Sequence, residues 1–166
     1  MGTQATIKVS LHAHQAAASP YSGGVPADVS WERVFGAGTT DYKYDELHQS
    51  SQSVAAASNE DVDLTALTDP YGTTLTAAGE VVLLVIEAAA ANGGTLTFKA
   101  SAANGWTNLF GTSADLKLKA GAKHIIASET DGNGWTVGAT NKSYNVANSD
   151  GAAAGLYTLT ILKRSA

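Results

Sequence analysis

The residues of this 166-residue sequence that could do chemistry are four histidines, a group of acids near position 60 and a scatter of serines. His12 and His14 stand two apart and share a face if the segment is a strand, a spacing that can ligate a metal. No third ligand lies nearby, and a solvated arm or a subunit contact is the plainer role. His48 and His124 are single, with no partner visible in the sequence. Asp61 and Asp63 would lie on one strand face, opposite Val62 and Leu64. With Asp69 they could hold calcium, but the ordered oxygen-ligand loop of an EF-hand is missing. Asp131-Gly132-Asn133-Gly134 has a faint calcium character and reads first as a turn.

Covalent and acid–base chemistry find no better footing. No spacing sets two carboxylates at a useful separation or raises the pKa of one. There is no Gly-x-Ser-x-Gly elbow. Gly36-Ala37-Gly38 and Gly132-Asn133-Gly134 lack the following helix that a phosphate-binding loop needs. The chain has no cysteine, which removes thiolate chemistry and disulfides. The expectation is therefore a protein with no catalytic residue, no cofactor and no metal. The aromatic residues leave one ligand class open. Trp106 and Trp135, each just after a glycine turn, are the best pair for a sugar-stacking platform. Their other reading is as plugs at the ends of a core.

Composition narrows the partners. The net charge is −5 and the lysines form no basic stripe, which disfavours nucleic acid. Charged residues make up 15% of the chain, against about 25% in ordinary domains. So low a charge, with many small residues, suits a chain that shares surface with other subunits. No stretch is long enough to span a bilayer. Met1-Gly2-Thr3-Gln4-Ala5 does not begin a secretory signal, and Thr6 alone is a weak match to a myristoylation site.

The elements that must position these residues are short. Ala5 to Leu11 alternates as a half-buried strand, with Ile7, Val9 and Leu11 on one side. Residues 12–30 read as mostly irregular, broken by Pro20, Gly23, Gly24 and Pro26. Trp31, Val34 and Phe35 form an apolar cluster. Thr39–Tyr44 and Thr73–Thr76 are possible short strands. Residues 49–59 are low in bulk and must lie over another surface. From Glu60 onward, about eight or nine strands follow at close spacing with glycine-bearing turns. Their centre is the run Gly79 to Glu87, rich in β-branched residues. A helix capped at Asn92-Gly93 is the rival reading of Ala78 to Ala91. The fold expected is all-β, an antiparallel β-sandwich of jelly-roll type.

Several of these stretches carry a resemblance. They are Glu60-Asp61-Val62-Asp63-Leu64 leading to Asp69-Pro70-Tyr71-Gly72, the central run, and Ala103-Asn104-Gly105-Trp106 with Leu109-Phe110-Gly111. Leu116-Lys117-Leu118-Lys119-Ala120-Gly121, Asp131 to Val137 and Tyr157 to Ile161 complete the set. Over about two thirds of its length the chain resembles small β-sandwich virion proteins of tailed bacteriophages, most of all capsid decoration (cement) proteins. The resemblance implies a sandwich (residues 60–166) seated on a capsid, with the major capsid protein and other copies of itself, as dimer or trimer, for partners. It implies a virion location after synthesis in the host cytoplasm. It also implies an extended N-terminal arm (residues 1–59) that ties subunits together, with Ile7, Val9, Leu11, Trp31 and Phe35 as contact residues. The strand Ala5 to Leu11 would need a partner edge, which a neighbouring subunit could supply. No catalytic or ligand residue is carried over.

Overall fold

The computed structural model describes residues 4–15, 25–40, 43–127 and 134–165, with the backbone alone for 11–15 and 25–29. It forms two compact units, Met1–Ala37 and Gly38–Ala166.

The first unit is a β-hairpin. Strand β1 (Ala5–Gln15) pairs antiparallel with β2 (Val25–Ala37), from Ala5 opposite Phe35 to Gln15 opposite Val25. β1 therefore has a partner edge within its own chain. Both strands also run into the 12–30 segment that its prolines and glycines suggested was irregular. Pro26 fits because it stands at the start of β2, where the ladder is ending. Alternation gives the ribbon two unlike faces. Ile7 and Val9 share one with Trp31, Arg33 and Phe35, and the register positions of Leu11 and Val29 continue that row. Lys8 and Glu32 pair across the other face at 3.2 Å.

The second unit is a sandwich of two antiparallel sheets. One has β10 (Trp135–Val137), β6 (Gly79–Ala88), β12 (Gly155–Ser165) and β4 (Glu46–Val54) side by side, with β9 (Lys123–Ala127) also paired to β6. The other runs β5 (Asn59–Asp63), β11 (Ser143–Asn148), β7 (Leu96–Ala100), β8 (Leu116–Leu118). Two short elements complete the unit, β3 (Lys43–Tyr44) and a single helical turn, α1 (Thr107–Phe110). Of the described residues of Thr39–Tyr44, Lys43 and Tyr44 are in a strand. Thr73–Thr76 yields no strand beyond an isolated Thr68–Thr74 bridge.

The apolar run is a strand, β6, flanked by β12 on one side and by β9 and β10 on the other. Its Val81, Leu84, Ile86 and Ala88 belong to the core, and Val82 and Leu83 are buried as well. Burial on both faces is why it reads as continuous hydrophobicity and does not alternate. The alanine tail does not become a helix. It leaves the strand at Ala88 and turns, with Asn92 N donating to Ala89 O. Gly79, at the head of β6, has φ +145°, and a Cβ there would collide with the Arg164 carbonyl of β12.

Residues 46–54 correct the expected domain boundary, which lies at 37/38 and not at 59/60. They form β4, paired with β12 over nine residues without a register shift. The low bulk of this segment is what lets it fit. Ser50 stands opposite Leu159, a small residue on β4 beside a large one on β12, and Gln52 stands opposite Tyr157.

Aromatic rings link the sheets. Phe98 on β7 meets Tyr157 on β12 edge-on at 5.3 Å between centroids. From Phe98 the contacts pass to Tyr144, Phe110 and Trp106, each step about 6 Å.

Candidate functional site

Trp106 and Trp135 start two similar corners, and the fold brings those corners together. Gly105 is required at the first because a Cβ there would strike the Ser101 carbonyl. Trp106 then turns inward, is fully buried and donates its indole N–H to Thr136 O at 3.0 Å. Asn108 and Asn141 donate to the same carbonyl. Trp135, at the head of β10, is half-buried against the core. Trp106 has no face to offer a sugar, so the pair does not form a stacking platform. It is the core plug of its other reading.

The acids near residue 60 divide by strand face as alternation predicts. Leu64 is buried in the core and Val62 packs against it. Asp63 Oδ2 takes a 2.6 Å ion pair from Lys142, and its Oδ1 accepts from Thr65 N and Oγ1. Partial burial pushes the Asp63 carboxyl up, but the Lys142 and Thr65 hydrogen bonds outweigh it and hold the group below its ordinary 3.8. Asp69 instead closes its own turn, accepting from Tyr71 N and Thr73 N at 2.9 and 2.8 Å. Asp61, Asp63 and Asp69 thus make separate contacts. Among the described residues no three His, Asp or Glu side chains gather to hold a metal ion.

On the outer face of the four-stranded sheet, register sets Asp61, Asn145 and Lys99 in a row across β5, β11 and β7. Asn145 Nδ2 donates to Asp61 Oδ1 at 2.8 Å and Ser101 Oγ donates to it at 2.7 Å. With Asn59, Ala102 and Ala147 the row lines a shallow groove of about 310 Å³. Only the acid face of this row was legible in the sequence, since its members come from three distant strands.

His48 is buried and its imidazole is satisfied on both sides, by Thr68 O at 2.6 Å and Ser50 Oγ at 2.7 Å. His124 sits in β9 opposite Ile86, half-buried. The side chains of His12 and His14, and all of Asp131, Gly132 and Asn133, lie outside the described residues.

Two ion pairs escape sequence reasoning because their partners are far apart in the chain. Lys163, buried in β12, donates to Thr76 O and lies 3.2 Å from Glu46 Oε2. Glu46 Oε1 accepts from Thr76 N at 2.6 Å and from Thr76 Oγ1. Arg164, next along β12, pairs with Glu80. Both tie the Gly79 end of the five-stranded sheet.

Of the expected contact residues, Val9 is 42% exposed, Ile7 and Trp31 are half-buried and Phe35 is fully buried. Leu11 holds a β1 register position, and its side chain lies outside the described residues. The ribbon is thus a largely apolar row on a separate unit, while in the sandwich Trp106, Phe98, Phe110, Tyr144 and Tyr157 are buried and Tyr71 is exposed. No protein-family model matches the chain, and no curated protein is significantly similar to it.

Proposed function

We propose that the chain is a non-enzymatic virion structural protein, a capsid decoration protein that binds the outside of a phage head and stabilises contacts between major capsid subunits. The observation that carries the reading is the separate N-terminal hairpin with its apolar row. That row is only partly covered: Val9 is exposed, and Ile7 and Trp31 are half-buried. Such an element suits a surface supplied by other subunits. The low charge of the chain and its well-filled sandwich also favour a structural role. Weak contacts suffice on a shell, because a lattice of sites raises the effective concentration of each next contact.

The test is co-sedimentation with purified shells. The full chain is expected to pellet with them, and a chain carrying Val9→Asp and Trp31→Ser is expected to lose occupancy while its sandwich melts unchanged. Equal occupancy of the two proteins would overturn the role of the arm. Absence of binding by the full chain would overturn the capsid reading. A sugar-binding module on a tail or fibre is the second reading. The burial of Trp106 removes the feature that first suggested it.

A further inference from the structure

The sandwich has four sheet edges, and three of them are guarded against pairing with another strand. β5 carries Glu60, Asp61 and Asp63 in five residues. β8 is three residues long with Lys117 at its centre. The edge beside β6 is split between β9, which opens with Lys123, and the three-residue β10. Charges, shortness and interruption are the usual devices that keep a free edge from templating another chain.

β4 has none of them after its first residue, Glu46. It is nine residues long, ends the five-stranded sheet and, among the described residues, pairs only with β12. Its register runs without a bulge. From Leu47 to Val54 it has no Lys, Arg, Asp, Glu, Pro or Gly. Side chains secure its two ends, Glu46 through Thr76 and Val54 O through Asn148 Nδ2 at 3.3 Å. Between them, Gln49 to Ser53 have no backbone partner other than β12 among the described residues.

We infer that the β4 edge pairs antiparallel with β4 of a second copy of this chain, joining two five-stranded sheets into one about a twofold axis. Charge decides for a second copy. The chain carries a net charge of −5, so two copies repel on average, but a twofold contact through the uncharged Leu47–Val54 stretch sets no like charges opposite each other. Two strands in from the edge, Glu87 on β6 is offset by Lys123 at 2.9 Å. Serine and glutamine can hydrogen-bond across such a contact. Leu156, 47% exposed and opposite Ser53, adds apolar surface next to it. A twofold contact is isologous and closes at two copies. This inference does not rest on the capsid reading, and its test uses isolated protein in solution.

Light scattering after size exclusion is expected to give a dimer. The exposed pair Ser51→Lys with Ser53→Lys is expected to weaken dimerisation about ten-fold or more, by placing like charges across the axis. Its melting profile at low concentration should match the wild type. Because the chain has no cysteine, Ser51→Cys is a clean probe. It should cross-link two copies on oxidation, while Thr97→Cys, on the other sheet, should not. A monomer up to about 100 µM, a trimer, a dimer indifferent to the lysines, or cross-linking equal at both cysteines would each overturn the proposal.

Discussion

The indole N–H of Trp106 donates to the Thr136 carbonyl at 3.0 Å. This bond joins the loop after β7 to strand β10 in the opposite sheet. Together with the Phe98–Tyr157 contact, it gives the aromatic series an anchor on the five-stranded sheet at each end. Trp106→Ala should therefore destabilise the sandwich by about 3–5 kcal/mol, measured by denaturant unfolding. Trp106→Phe should cost less, because it keeps the ring and loses the hydrogen bond. A variant as stable as the wild type would mean that Trp106 is not a core residue.

The buried Lys163–Glu46 contact closes the Gly79 end of the same sheet. Removing one partner leaves the other charge buried, so Lys163→Met alone should cost about 3–5 kcal/mol. Adding Glu46→Gln should recover part of that loss. Thermal unfolding of the two single variants and the double variant checks it. Simple additivity would show that the groups are not coupled.

Tyr144 and Tyr157 place their hydroxyls inside the core, where neither has a well-aligned hydrogen-bond partner. The two phenols are still near enough to perturb each other, and burial raises the pKa of both. An unsatisfied buried hydroxyl costs about 1–3 kcal/mol relative to a satisfied one. Tyr144→Phe should therefore be neutral or stabilising. A clear fall in melting temperature would show that the hydroxyl has a partner.

Asp63 sets an acid dependence. Its carboxyl is lowered from 3.8 in the folded chain, so the unfolded state binds its proton first as pH falls. The stabilisation is complete above the unfolded value and is lost as pH drops below it through the folded value. Asp63→Asn should lower stability near neutral pH and flatten the pH profile below about 4. Parallel profiles for variant and wild type would contradict this.

How far the sequence could be read follows from the range of each interaction. The eight strands from Asn59 onward, β6 among them, were legible, because burial and turn chemistry are local. The outward placement of Asp61 and Asp63 followed from alternation alone. β4 was not legible, because Gln-Ser-Ser-Gln-Ser carries no apolar signal, and only the large β12 residues opposite it explain the choice. The hairpin was half legible. The Ile7–Val9 alternation was clear, but Pro20, Gly23, Gly24 and Pro26 obscured its pairing partner. The Lys163–Glu46 and Arg164–Glu80 pairs could not be read at all, since each joins residues brought together only by the fold.

The proposed capsid role turns on where the protein sits in an intact particle. Cryo-electron microscopy of intact particles that carry the protein tests it most directly. Many symmetry-related copies are expected over the outer shell, seated where major capsid subunits meet. A few copies confined to one vertex or to the tail, or none on the shell, would contradict it.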